Sequence, residues 1–208
     1  LMRDTEPKFR VLYSGTLGLA HPVETILDAA SLLAQPNPEI EFFFVGDGKQ
    51  FDWLAAERDR RELENIRFLP WQPVSRLRGL MESGDLHLVS LKQDASGLVV
   101  PCKFYSALAV GRPSILIGPE KSETAQIIRD FGAGSVIAQG EGVRLADTIR
   151  AYRLDSEKWF RAHEGAVKAG RVFIPDQSIS VWLNRARAIA GVSEDQPRAR
   201  PLRKKKAA

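Results

Sequence analysis

Short apolar runs alternate with amphipathic helical patterns along residues 9–190, and this alternation constrains the fold more than any other feature. Six runs predict β-strands, at 9–13, 40–45, 66–69, 86–90, 113–117 and 135–137. A 3.6-residue apolar period predicts helices at about 23–34, 50–61, 75–82, 101–110, 122–131, 143–152, 156–172 and 177–190. The second strand, Ile-Glu-Phe-Phe-Phe-Val, is nearly continuous in apolar residues, which is typical of a strand covered on both faces of a parallel sheet.

Strand–helix–strand units repeated in this way predict an α/β fold, a doubly wound, Rossmann-like parallel sheet of about six strands with helices at the C-terminal end. In such sheets a ligand lies beyond the carboxyl ends of the strands, where the strand order reverses. Any binding site should therefore be built from the loops that follow the strands. These loops are residues 15–22, 46–49, 70–73, 90–103 and 118–123.

The composition excludes several classes of protein. With 44% hydrophobic and 27% charged residues the chain is an ordinary globular sequence, and it has no apolar run of the ~18 residues that a membrane-spanning helix needs. A single cysteine, Cys102, cannot form an internal disulfide, which favours a reducing, cytoplasmic compartment. Three scattered histidines predict no metal site.

The positive charge belongs to the C-terminal end. Of 30 basic and 26 acidic residues, six basic and two acidic ones lie in residues 194–208, which leaves 24 of each sign in residues 1–193. A neutral body offers no concentrated positive surface, so we expect no nucleic-acid partner for it. We predict an N-terminal extension (1–8), a globular domain (9–191) and a basic disordered tail (192–208). The tail could bind an anionic membrane surface, bind nucleic acid loosely or be solvated.

Glycines follow the first two strands. Gly15-Thr-Leu-Gly18 lies between the first strand and the first helix, where glycines let a backbone approach a phosphate and the helix offers free N–H groups. The segment matches neither a dinucleotide-binding fingerprint nor a Walker A loop, so a plain tight turn is the alternative interpretation. Gly46-Asp47-Gly48 follows the second strand, where Asp47 either shapes a pocket wall or caps the next helix.

Lys103 is predicted at the start of the helix that follows the fourth strand. A cation at a helix N-terminus is unfavourable for the helix itself. The position makes sense if an anion such as a diphosphate shares the site. The alternative interpretation is a solvated surface lysine.

Several segments, in order, resemble a known family. Pro101-x-Lys103-x-Tyr105-x-Ala-Leu-Ala-x-Gly111-x-Pro113 resembles the donor-binding segment of group 1 glycosyltransferases (family 4, GT-B fold). Three further segments are similar to that family's second strand and turn, its third strand and turn, and its fourth strand; they are 44–48, 65–70 and 83–89. Glu123 stands where the family has an acidic residue after the fifth strand. The resemblance covers nearly all of residues 9–190.

The resemblance implies the C-terminal half of a retaining glycosyltransferase, which binds a nucleoside-diphosphate sugar without a metal. Residues implied at the donor diphosphate are Gly15, Gly18 and Lys103. Residues implied near the nucleoside base are Gly46, Pro70, Trp71 and Gln72. Residues implied at the sugar or ribose are Asp94, Ser106 and Glu123. In the GT-B fold a separate N-terminal domain holds the acceptor, a glycan or a lipid-linked sugar, so this chain is expected to be incomplete for catalysis alone.

Two departures from the family pattern keep other functions open. Ala20 and His21 stand where the family usually has a lysine or arginine, and Ser106 stands where it often has a glutamate on the donor helix. His21 could donate to a phosphate if the site raised its pKa. The alternatives are half of a nucleotide-sugar epimerase or of a dinucleotide-using oxidoreductase, and a non-catalytic, doubly wound interaction module. Polysaccharide assembly in the cytoplasm, with the tail at the inner face of the membrane, is the pathway and location that the resemblance suggests.

Overall fold

The computed structural model describes residues 8–191, except the side chains of residues 175, 177 and 178. Six parallel strands form one sheet in the order β3-β2-β1-β4-β5-β6. Their bounds are β1 (Phe9–Ser14), β2 (Ile40–Val45), β3 (Ile66–Leu69), β4 (Leu86–Ser90), β5 (Ser114–Ile117) and β6 (Gly134–Ile137). The predicted doubly wound sheet is confirmed, with strand bounds that differ by one residue at most.

Helices lie at the predicted places. They are α1 (Glu24–Ala34), α2 (Phe51–Arg60), α3 (Val74–Ser83), α4 (Cys102–Ala109), α5 (Glu123–Phe131), α6 (Gly142–Leu154), α7 (Ser156–Val172) and α8 (Pro175–Ala190). A 3₁₀ turn (Gln93–Ala95) interrupts the loop between β4 and α4. Local chemistry fixes both ends of α5, because the Ser122 hydroxyl accepts a bond from the Ala125 N–H and Gly132 ends the helix in the left-handed conformation.

Two helical layers cover the sheet, as the apolar second strand predicts. Successive side chains of a strand point to opposite faces. Val11 and Tyr13 belong to the main core cluster together with Ile26 of α1 and Leu145 of α6. Leu12 between them is buried as well, so β1 is covered on both faces. Elsewhere α7 packs against α4 and α5.

The strand order places a crevice between β1 and β4. From β1 the chain proceeds outward to β2 and β3 on one side, and then returns to β4 on the other side of β1. Loops that leave the carboxyl ends of β1 and β4 therefore diverge, which opens the sheet edge at this point. The loop after β1 and the start of α4 flank this crevice.

The chain divides into two compact units, Leu1–Val172 and Phe173–Ala208. In the described part of the second unit, α8 has a proline in its first turn and ends at Gly191, which is left-handed. None of the helices within residues 8–191 combines the length and hydrophobicity needed to cross a membrane. The predicted tail, 192–208, and all of the predicted N-terminal extension except Lys8 lie outside the described residues.

Candidate functional site

The glycine turns after β1 and β2 lie directly against each other. A Cβ atom on Gly46 would lie 2.5 Å from the Gly15 carbonyl oxygen, and one on Gly48 would lie 2.5 Å from that of Leu17. Both Gly15 and Gly46 also have a positive φ, at 111° and 138°. The two loops are bonded, because the Leu17 N–H donates to the Asp47 carbonyl at 2.9 Å. Asp47 does not cap α2; its carboxylate accepts from the Gly48 N–H.

Gln50 anchors the loop that follows β1, a role that no sequence pattern indicated. Its side-chain amide donates to the carbonyl oxygens of Gly18 and His21, the latter at 2.9 Å. Its backbone N–H donates to the Leu17 carbonyl at 3.2 Å. The conformation of the loop after β1 is thus set from the start of α2.

Lys103 reaches across the crevice from α4 to the first glycine turn. Its Cε lies 3.6 Å from the position of a Cβ on Gly15. The ammonium is buried, has no hydrogen-bond partner among residues 8–191, and lies 3.5 Å from the centre of the Tyr13 ring. Burial lowers the pKa of Lys103 to about 7. Lys103 is therefore not the solvated surface lysine that its place at a helix end would ordinarily suggest.

His21 belongs to the same loop as Gly15, the one that follows β1. Its Nδ1 is 2.6 Å from the Ser90 carbonyl oxygen, and its ring meets Tyr13 edge-on. Burial lowers the pKa of His21, and the nearby Lys103 charge lowers it further, against the effect of the Ser90 bond. With Nδ1–H donating to Ser90, the neutral ring has an unprotonated Nε2. From the sequence, His21 is expected to donate to a phosphate only if the site raises its pKa, and the site lowers it.

Glu123 lies in a separate cleft of about 310 Å³ between the loop before α4 and the start of α5. Pro101 and Tyr105 line the same cleft. Burial raises the pKa of Tyr105, and the Glu123 charge raises it further, so the two side chains share one electrostatic environment. Ser106 and Asp94 do not line this cleft: the Ser106 hydroxyl donates to the Cys102 carbonyl one turn earlier, and Asp94 is exposed in the 3₁₀ turn.

Of the residues predicted near a base, Gly46 packs on Gly15 and the others lie beyond β2, at the end of β3. Pro70, Trp71 and Gln72 follow β3, next to the second glycine turn, because the Gly46 N–H donates to the Leu69 carbonyl at 3.1 Å. Trp71 is 58% exposed, which leaves its ring open to a partner. The Gln72 amide donates back to the Pro70 carbonyl at 2.9 Å and shapes the turn.

The structure thus brings Gly15 and Lys103 together, with Gly46 packed on Gly15, and places residues 70–72 after β3 and Glu123 in a separate cleft. Gly15 and Lys103 meet in the crevice, whereas open space surrounds the Cα of Gly18. A larger cavity of about 900 Å³ lies against α1 and α6, lined by Asp28, Asp147 and other residues, and it contains none of the predicted site residues. The described residues include no cluster of three or more metal-ligating side chains.

Curated sequences with similar segments are glycosyltransferases. The putative colanic acid biosynthesis glycosyl transferase WcaI of Escherichia coli is 33% identical over 133 residues, and the probable glycosyltransferase WbjE of Pseudomonas aeruginosa is 27% identical over 137 residues. These matches cover 64% and 66% of this chain, but only 32% and 34% of the relatives. The chain therefore spans about a third of the length of the curated relatives it matches.

Solved glycosyltransferase structures contain the same fold. The pneumococcal O-GlcNAc transferase GtfA, solved with UDP and GlcNAc, matches with a TM-score of 0.73 and 14% identity over 88% of this chain and 36% of its own. HepE from Anabaena, solved with UDP-glucose, matches with a TM-score of 0.70 and 22% identity over 89% of this chain and 49% of its own. The prediction that this sheet is one half of a GT-B fold is confirmed.

The family itself follows from the sequence match. The model for glycosyl transferases group 1 matches residues 3–168, which is most of the chain and the whole described sheet. This chain belongs to the group 1 glycosyltransferase family.

Proposed function

We propose that this chain is the donor-binding half of a retaining glycosyltransferase and binds a nucleoside-diphosphate sugar at the crevice between β1 and β4. The observation that carries the proposal is the ammonium of Lys103, which is buried without a hydrogen-bond partner in the described structure and lies against Gly15. A buried cation without a counter-charge is costly, and an anion that entered the crevice would offset that cost. The likeness to proteins solved with UDP and GlcNAc and with UDP-glucose supports a nucleotide sugar as that anion.

The three groups of candidate residues would divide the donor between them. The diphosphate would lie between Lys103 and the loop of residues 15–18. The Gly15 and Leu17 N–H groups already donate to the Val45 and Asp47 carbonyls, so the backbone donors would be those of Thr16 and Gly18. The base would lie at Pro70, Trp71 and Gln72, beside Gly46. The sugar and ribose would extend toward Glu123, whereas Ser106 and Asp94 lie outside the cleft around Glu123 and have no assigned contact in this scheme. Gly46 acts through close packing in this scheme, because its N–H already donates to Leu69.

The reaction we propose breaks the bond between the anomeric carbon and the diphosphate, and forms a bond from that carbon to an acceptor oxygen, which loses its proton. Negative charge develops on the leaving diphosphate. Lys103 and backbone N–H groups would stabilise that charge in the proposed scheme, without a metal. The acceptor, a glycan or a lipid-linked sugar, would bind to an N-terminal domain outside this chain, in a cytoplasmic assembly of polysaccharide at the inner face of a membrane.

Calorimetric titration with UDP-, GDP- and ADP-sugars tests the proposal. One of them should bind, and Lys103→Met should weaken that binding by about 10- to 100-fold, the loss expected for a hydrogen bond to a charged group. Lys168→Met, which removes an exposed lysine of α7, is the matched control and should bind like the wild type. Binding of NAD instead would favour a dinucleotide enzyme, and no binding by any of these ligands would favour the non-catalytic interaction module.

A further inference from the structure

The Tyr13 ring, and no polar group, holds the Lys103 ammonium in the described structure. The distance from the Lys103 Nζ to the ring centre is 3.5 Å. Attraction between a cation and an aromatic face is strongest where both are removed from water, as here. The ring cannot move away, since Tyr13 is fully buried, packs on Phe44 at 5.6 Å between centroids, and donates its hydroxyl to the Thr16 carbonyl at 3.3 Å.

The groups around this ammonium supply no negative charge. From β1, Tyr13 stays neutral because burial raises the pKa of its phenol. From the loop after β1, His21 adds only positive charge when protonated, and its pKa is lowered. From β4, Ser90 is uncharged, and on α4 the titratable residues nearest to Lys103 in sequence are Cys102 and Tyr105, of which Tyr105 has a raised pKa. The Tyr13 ring therefore opposes the desolvation of Lys103, but no negative charge does.

We propose that Tyr13 is a positioning residue for Lys103 and that this pair makes binding of the donor diphosphate take up a proton. The inference rests on the proposed function, because it needs a diphosphate in the crevice. In the empty site the tyrosine ring keeps the ammonium aimed at Gly15. The bound diphosphate supplies the missing negative charge, so the lysine becomes fully protonated in the complex.

The coupling of donor binding to protonation of Lys103 has a measurable consequence. With a free-site pKa of about 7, a growing fraction of the empty protein is neutral at Lys103 as the pH rises. Binding must then draw a proton from the buffer, and the Kd should rise about eightfold from pH 7.5 to pH 8.5 if the bound lysine stays protonated. At pH 6 the Kd should be nearly independent of pH, since the lysine is already charged.

The test is calorimetry of the chain with the nucleotide sugar that binds it, at half-unit steps from pH 6 to pH 8.5. A nucleotide sugar is the right probe, because its diphosphate is a diester that does not titrate in this range. Repeating each titration in buffers of different ionisation enthalpy counts the protons taken up. We expect close to one proton per donor at pH 8.5 and close to none at pH 6. A constant Kd with no proton uptake would overturn the inference.

Variants separate the roles of the two side chains. Lys103→Arg keeps its charge at every pH, so the affinity that this variant retains should be nearly independent of pH. Tyr13→Phe keeps the ring, so its Kd for the donor should lie within about twofold of the wild-type value. Tyr13→Leu removes the ring and should weaken binding about three- to tenfold at pH 7.5. In Tyr13→Leu the rise in Kd should also begin at lower pH. Lys168→Met should keep the wild-type pH profile.

Tyr13 is a core residue, so Tyr13→Leu could lose its fold for reasons unrelated to the site. Carbon-13 NMR of the lysine side chains provides a second measurement on the wild type, with Lys103→Met assigning the signal. Lys103 should titrate near pH 7 in the free protein and well above it with the donor bound. A titration near the usual lysine pKa in the free protein would overturn the inference even if the donor binds. Absence of donor binding at every pH would instead count against the proposed function.

Discussion

At the scale of single residues, Gly46 shows most clearly that the contact between the loops after β1 and β2 depends on a missing side chain. A methyl group on this residue would meet the Gly15 carbonyl at 2.5 Å, and the φ of 138° is one that other residues rarely adopt. That contact can be relieved only if the loop after β1 and the loop after β2 move apart. Gly46→Ala should therefore lower the free energy of unfolding by about 2–4 kcal/mol, from combined overpacking and backbone strain.

Chemical denaturation of Gly46→Ala beside Gly79→Ala checks this prediction. Gly79 lies in α3 with open space around its Cα, so alanine there should stabilise the chain by roughly 0.5–1 kcal/mol. Equal effects of the two substitutions would show that the two loops are not in the close contact described.

His87 makes a second residue-scale prediction, which concerns pH. It is 2% exposed in β4, its Nε2 lies 2.9 Å from the Met81 carbonyl, and burial lowers its pKa to about 4. The unfolded chain binds a proton at this histidine below about pH 6.5, whereas the folded chain resists it down to pH 4. The contribution of neutral His87 to the free energy of unfolding is thus fully present above pH 6.5. It falls by up to about 3 kcal/mol as the pH approaches 4.

The measurement is the free energy of unfolding of the wild type and of His87→Gln between pH 7 and pH 4.5. The difference between the two proteins should shrink as the pH falls, because only the wild type loses the contribution of a neutral histidine at this site. A constant difference would mean that His87 is protonated in the folded protein as readily as in the unfolded one.

At the scale of elements, the connection from α2 to the first loop explains how a short glycine turn keeps one conformation. Gln50 donates to two carbonyl groups of that loop and anchors it to the start of α2. Gln50→Ala leaves these carbonyls without their donor and should cost about 1–2 kcal/mol of stability.

Gln126→Ala is the matched control for Gln50, since Gln126 is exposed on α5 and bonds only one turn away, to Asp130. It should change the stability by less than about 0.5 kcal/mol. Thermal unfolding of both variants gives the comparison, and donor affinity should fall in Gln50→Ala alone. An equal, small effect of both would show that the loop holds its shape without Gln50.

The elements themselves could be predicted from sequence because local signals agree with the tertiary fold. Buried parallel strands give apolar runs such as 40–45, and glycine or proline marks nearly every boundary. The crevice contacts could not be predicted in this way. The meeting of Tyr13 with Lys103 joins residues 90 positions apart, and it depends on the strand order, which no local pattern contains.

At the scale of the whole molecule, the cavity against α1 and α6 and the crevice between β1 and β4 are two alternative places for a nucleotide sugar. The cavity has a volume of about 900 Å³, but the crevice has the buried cation and the glycine turn. Volume alone does not bind a diphosphate, whereas an uncompensated positive charge beside backbone N–H groups does. We therefore propose the crevice, rather than the cavity, as the site of the chemistry, and an acceptor domain would have to close over that side of the sheet.

The most direct measurement is a titration of the isotope-labelled chain with nucleotide sugar, followed by amide NMR. We predict that the largest shifts fall on residues 15–21 and 101–105, on both sides of the crevice, and that Lys103→Met removes them at the same ligand concentration. Shifts confined to residues 28–32 and 140–148, around the larger cavity, would contradict the account, because they would place the ligand away from Lys103 and the glycine turns.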